Sequence, residues 1–474
     1  MRKAPGSTTG RRGRRADPAW TPPAATGRRS APPRLLIDLR PVRVSADFRR
    51  LTVGSLLSSL GAQMTTFAVA LQVYTLTGSS AAVGGVGLAA GAASVVGGLA
   101  GGPIIDAVDR RRLVLTTNSC LAVISALFAV QAFAGLRNIW LLYGLVAVQF
   151  LVASVNGPAR KTFAPRLLPR ELIPAGAAIS MLTMHLSLVA GPPLAGLLAA
   201  AGGLKFCYLV DVVSFAASLY ATFRLPPMPP DGGRATVGLR AVGEGLRFIA
   251  HRKVVLGALL SDLSATVLAM PFALFPAINA DRFGGDPKTL GLLTAAVAAG
   301  GILGTALSGP VSHVHRPGLA MQLCAVVWGA GLIGFGLVDG LAPTLGFLVL
   351  AGVADVLAVV FRTSVIQLAV PDHLRGRTSA TEFVVGAGAP QLGNFRAGVL
   401  GSATSAGASA AIGGLSSLVG AGLIALLLPA LRRYRPADEL VPSVPEPVPT
   451  IPEPVPTVPE PVPTVPEADT VHTP

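Results

Sequence analysis

A dozen apolar stretches, each near the roughly twenty residues that cross a bilayer as a helix, divide this sequence. They begin near Leu51, Ala82, Leu113, Trp140, Ile173 and Phe206, and again near Val254, Leu290, Leu319, Pro343, Thr378 and Ala406. Of the 474 residues 51% are hydrophobic and only 13% are charged. A soluble domain carries about 25% charged residues, so most of the surface here must face lipid. The pattern predicts an all-α membrane protein of twelve transmembrane helices. The stretch from Thr378 is the least apolar, and twelve is a best count. Runs of Gly and Ala suit close helix packing in lipid.

The net charge is +15. Its distribution is topological and does not suggest a nucleic-acid partner. Basic residues fall in alternate connections: Arg110, Arg111 and Arg112; Arg160, Lys161, Arg166 and Arg170; Arg224 to Lys253; Arg316; Arg375 and Arg377; and Arg432, Arg433 and Arg435. The opposite connections hold little beyond Arg137, Lys205, Arg282 and Lys288. Lys and Arg are retained on the cytoplasmic side, which places both termini in the cytoplasm of a bacterial inner membrane.

Five regions follow. Residues 1–46 read as a disordered basic cytoplasmic tail that can touch anionic lipid. Residues 47–224 form a first six-helix bundle, and 254–433 a second. Between them, 225–253 opens on four prolines and continues as a short amphipathic helix, with Leu239, Val242, Leu246 and Ile249 at helical spacing. Residues 434–474 repeat a seven-residue Pro-rich unit that forbids helix and reads as a polyproline II stalk. It is a spacer, or a docking site for a cytoplasmic partner.

The halves repeat each other. Arg160 precedes Pro169 and Leu172 as Arg362 precedes Pro371 and Leu374, and Gly102-Pro103 matches Gly309-Pro310. Six-helix repeats are a mark of transporters, whose sites lie near mid-membrane between the repeats.

The stretch Gly102-Pro103-Ile104-Ile105-Asp106-Ala107-Val108-Asp109-Arg110-Arg111 resembles the cytoplasmic signature of the major facilitator superfamily. Ala107 stands where a basic residue is usual, and Asp109 where Gly is common. The second departure looks like the enterobactin-exporter branch, also described as transmembrane secretion effectors. Further segments are similar to that branch, among them Pro158-Ala159-Arg160, Tyr208-Leu209-Val210-Asp211, Pro271-Phe272-Ala273-Leu274-Phe275-Pro276, and the run from Arg362 to Gly398. The resemblance covers roughly 39–433, without the tails. It implies the major facilitator fold, two six-helix pseudo-repeat bundles and transport by alternating access. It also implies a cytoplasmic latch, in which Gly102, Asp106, Arg110 and Arg111 act with the eleventh helix; an anion at a helix N-terminus is favoured. Gly191, Pro192 and Gly196 in helix five resemble the Gly-Pro motif of antiporters, although a Gly-Pro pair also simply kinks helices.

Ionisable residues inside spans are costly and usually functional. Asp211, Asp262 and Asp355 qualify as proton-coupling candidates, with static helix pairing as the alternative. Asp355 lies nearest mid-membrane, where a carboxylate can take up and release a proton as the cavity alternates. Arg396 is expected to be its counter-charge. Arg362 shares a face with Asp355, about two turns nearer the cytoplasm, and joins Arg160 at the gate. Gln149 and His185 are candidate cavity residues, or partners in interhelical hydrogen bonds.

Cys120, Cys207 and Cys324 have neither disulfide nor metal spacing. No GxxxxGK[ST], HExxH or GxSxG motif occurs. No cofactor, metal or enzymatic activity is expected. The reading is a proton-coupled exporter of a small organic molecule such as a siderophore, antibiotic or related metabolite. An importer of the same fold and a non-transporting membrane scaffold or sensor are the alternatives.

Overall fold

The computed structural model describes residues 38–229, 239–309, 314–371 and 374–435. Residues 1–37 of the basic tail, 230–238 of the linker, Pro310 and residues 436–474 of the Pro-rich stalk lie outside the described residues.

Among the described residues, twelve long helical spans, the seventh of them broken, appear in the expected order. The first half holds Ala46–Thr77, Ser80–Ala107, Arg110–Phe133, Ile139–Lys161, Ile173–Gly202 and Leu204–Phe223. The amphipathic helix Leu239–His251 follows. The second half holds a broken seventh span, Lys253–Ala269 and Phe275–Phe283, then Pro287–Leu307, Pro317–Leu337, Leu341–Ala369, Arg375–Ala403 and Ala406–Leu427. Eleven are long and apolar enough to cross a membrane by length and composition alone. The exception is the eleventh, Arg375–Ala403, at 29 residues. Arg375, Arg377, Glu382 and Arg396 lower its hydropathy.

Local chemistry sets the helix starts. Ser45, Ser79, Asp109, Asn138, Asp286 and Ser405 each accept a hydrogen bond from a backbone N–H of the first turn, satisfying donors that have no partner within the helix. Gly78 ends the first span in the left-handed region at φ 63°, where a side chain would be strained.

The two halves pack alike. The first span lies on the sixth as the seventh lies on the twelfth. The third meets the fourth and sixth as the ninth meets the tenth and twelfth, and the second meets the fourth as the eighth meets the tenth. Across the halves, the second span crosses the eleventh and the fifth crosses the eighth. Glycines permit these crossings: a Cβ on Gly84 would lie 2.8 Å from the Phe395 backbone, and one on Gly291 2.7 Å from the Pro192 carbonyl.

The apolar core is asymmetric along the helix axes. At the end away from the basic loops, one cluster joins both halves, from Met64, Phe128 and Tyr208 to Phe275, Phe335 and Ala397. At the basic-loop end the core divides. Phe48, Leu51, Phe163 and Leu172 belong to clusters of the first half, while Val255, Phe361 and Leu431 belong to one in the second half and linker. The apolar core is therefore shared between the halves at one end and divided at the other, where the second and eleventh spans still touch at Gly98 and Phe383.

Polar rungs tie the first half together, as expected where lipid supplies no hydrogen bonds. Gln72, Gln131 and Tyr208 form one, with the Tyr208 hydroxyl donating to Gln72 Oε1 at 2.6 Å. Asn156 donates to Thr117 and Asn118, and Asn118 to Ser218 and Thr222, in another.

Candidate functional site

A cavity of about 590 Å3 lies in the first half. It runs from mid-span residues Ala62, Leu121 and Met184 to Phe48, Lys161 and Pro165 at the basic-loop end. Thr52, Ser55 and Ser59 recur at helical spacing along one face of the first span and line it. Asn156 and Arg160 face it from one side of the fourth span, and Ser180, Met181 and Met184 from the fifth. Apolar walls with a few polar groups are the usual make-up of a small-molecule site.

The Arg160 guanidinium donates to Ser55 Oγ. Among the described residues no carboxylate pairs with it. In the second half, Arg362 forms an ion pair with Asp262 of the seventh span. Asp355 lies within electrostatic reach of both, and so does Glu382 of the eleventh span with respect to Arg362 and Asp262. Three carboxylates from three spans thus lie within electrostatic reach of one arginine, and one of them, Asp262, pairs with it. Glu382 is absent from the sequence reading. Its signal there was available: an acidic residue in the least apolar span.

Other expected residues stand elsewhere. Asp211 is fully buried in a third polar rung, where Oδ2 accepts from Thr65 at 2.8 Å and Ser125 at 2.6 Å. Gly61 leaves the space, since a Cβ there would lie 2.5 Å from Asp211 Oδ1. Gln149 is buried in the fourth span and His185 half-buried in the fifth; neither lines the cavity. Gly191, Pro192 and Gly196 lie where the fifth span meets the first and eighth.

Arg396 is not the counter-charge of Asp355; that place is taken by Arg362. The cause is the break in the seventh span. Pro271 has no N–H and cannot continue the helix, which leaves backbone groups without helical partners. Arg396 donates to the Leu268 carbonyl, and Asn394 Oδ1 accepts from the Ala273 N–H at 3.3 Å. Both side chains come from the eleventh span and fill the gap.

At the signature loop, Gly102 and Asp106 lie in the last turns of the second span; the Asp106 side chain lies outside the described residues. Asp109 caps the third span through Arg112 N–H at 2.9 Å and accepts from Met228 N–H at 2.8 Å. Arg110 N–H donates to the Met228 carbonyl at 3.0 Å. Arg111 donates to the Phe223 carbonyl at 2.6 Å and stacks 5.7 Å from its ring. This loop therefore clamps the end of the sixth span, where a cation also suits the helix terminus.

Two helix bundles related by an internal repeat, crossing at the second and eleventh and at the fifth and eighth spans, with a cavity within the first, define a multi-pass secondary transporter of the major facilitator fold. Solved structures agree on the fold: the nucleoside transporter NupG superposes with a TM-score of 0.68 at 12% identity, over 82% of this chain and all of that one. A bacterial homologue of the iron transporter ferroportin, in an inward-facing state, gives 0.61 at 18% identity, over 82% of this chain and 99% of the other. The model of the transmembrane secretion effector family matches residues 38–462, and the chain belongs to that family. Similar relatives include the enterobactin exporter EntS of Escherichia coli, 27% identical over 404 residues, covering 84% of this chain and 96% of the relative in strain ED1a of serotype O81. The form from the O1:K1 serotype is 26% identical over 400 residues. These relatives and neighbours are transporters, not enzymes.

Proposed function

We propose that this protein exports a small, siderophore-like organic molecule from the cytoplasm across a bacterial inner membrane, driven by protons. The observation that carries the reading is the divided core: one apolar cluster joins the halves away from the basic loops, and separate clusters serve each half beside them. With the basic loops cytoplasmic, this is the inward-facing member of an alternating pair, with its cavity reached from the cytoplasm. Both termini then lie in the cytoplasm. The exporter names of the relatives support the direction.

The Asp262, Asp355 and Glu382 cluster is the coupling site in this reading. One arginine cannot balance three carboxylates, so a proton can be taken up and released there as the halves rock. Gly102, Asp106, Arg110 and Arg111 latch the cytoplasmic end when it closes, with Arg160 and Arg362 beside the opening. The Pro-rich tail is a spacer or a partner-docking stalk.

Inverted membrane vesicles test the proposal. A siderophore supplied outside should accumulate when an interior-acid gradient is imposed, and Asp355→Asn and Asp106→Asn should each lower the rate at least about tenfold, the loss expected when an essential proton or latch group is removed. Accumulation that ignores the gradient, or wild-type rates in both variants, would overturn it.

A further inference from the structure

The internal repeat exposes a difference between the two arginines. Arg160 and Arg362 hold matching places in the fourth and tenth spans, and each reaches across its own bundle, to the first and seventh spans respectively. Arg160 and Arg362 match at an offset of 202 residues and Gly102 and Gly309 at 207; the second offset also takes the start of the first span, Ala46, to that of the seventh, Lys253, and puts Ser55 on Asp262. The two contacts therefore join corresponding spans at corresponding places in the two halves. In the second half the partner is a carboxylate; in the first it is a hydroxyl.

A guanidinium has five N–H donors and a permanent charge. Ser55 accepts one hydrogen bond and neutralises nothing. Arg160 is half-buried, lines the cavity and has no carboxylate partner among the described residues. A charge withdrawn from water calls for an opposite charge, and the repeat shows how readily the fold could have supplied one. Lys161 adds a second cation to the same mouth. Leu121, Met181, Met184 and Phe215 provide apolar wall beyond it.

We propose that Arg160 is the docking point for the anionic group of an amphiphilic organic substrate, a carboxylate or similar oxyanion, with the apolar remainder against Leu121, Met184 and Phe215. The assignment rests on the transport reading and names its substrate class. Ser55 keeps the guanidinium oriented while leaving its charge for the ligand.

The test uses the full-length protein in neutral phosphatidylcholine nanodiscs and two probes of one shape, 2-naphthoate and uncharged 2-naphthamide, measured by equilibrium dialysis. Wild type should bind naphthoate at least about tenfold more tightly, a difference in line with a charge-assisted hydrogen bond. Arg160→Gln should abolish that preference, and so should Ser55→Asp, which installs the carboxylate of the other half. Arg160→Lys should keep part of it, and Arg137→Gln in an opposite connection all of it. A variant that still binds naphthamide has kept its cavity, so misfolding is recognised. Equal binding of the two probes by wild type, or a preference that survives Ser55→Asp, overturns the proposal. Loss of naphthoate binding in phosphatidylglycerol nanodiscs would assign Arg160 to lipid headgroups and overturn it as well. Failed export alongside Arg160-dependent naphthoate binding would count against the export reading and leave this site standing.

Discussion

Removing the arginine at the centre of the carboxylate cluster should cost more stability than removing its ion-pair partner. Arg362 and Asp262 are 19% and 11% exposed, so water screens them little. At roughly 4 Å and an effective dielectric near 20, one unit-charge pair is worth about 4 kcal/mol. In Asp262→Asn that pair is lost, but Arg362 still faces Asp355 and Glu382. The net loss should be about 1–2 kcal/mol, below the ~3–5 kcal/mol typical of breaking a buried pair. In Arg362→Met the cation that all three carboxylates face is gone, and the loss should reach the upper part of that range. Equilibrium unfolding by sodium dodecyl sulfate in mixed micelles measures both. The sharing of one arginine by three carboxylates is refuted if Asp262→Asn costs as much as Arg362→Met.

Two further outcomes follow from the packing. Arg396→Leu leaves the Leu268 carbonyl without its donor at the broken seventh span, and should destabilise by about 1–3 kcal/mol in the same unfolding assay, with Arg396→Lys intermediate; a neutral Arg396→Leu would show that the break needs no donor. Gly398→Val puts side-chain atoms where the eleventh span touches the Ser80 carbonyl. It should prise apart the joined end, raising thiol labelling of a cysteine placed at the buried Ser80 severalfold, and unchanged labelling would refute that contact as the seal.

The helices were legible because each span repeats a single physical requirement, an apolar length matched to the bilayer. Even the eleventh announced itself as the weak one, and the structure shows that its own charges weaken it. What the sequence could not supply was pairing across distance. Asp355 and Arg362 share a helix and could be matched by periodicity, whereas Asp262 meets Arg362 from another span. Arg396 invited pairing with a carboxylate, because nothing local reveals that the Leu268 carbonyl has lost its helical donor. The hydroxyls of Thr52, Ser55 and Ser59 were plainly spaced along one helix face, yet only the fold shows a cavity beside them.

The broken seventh span has a mechanical consequence. Its interruption is plugged by Asn394 and Arg396 of the eleventh, so neither helix can slide past the other without stripping backbone groups of their partners in a medium that offers no replacement. Motion that draws the eleventh span off the second must carry the seventh along. What looks like a weak point in a single rod is thus a rivet between two, and the seventh and eleventh spans tilt together.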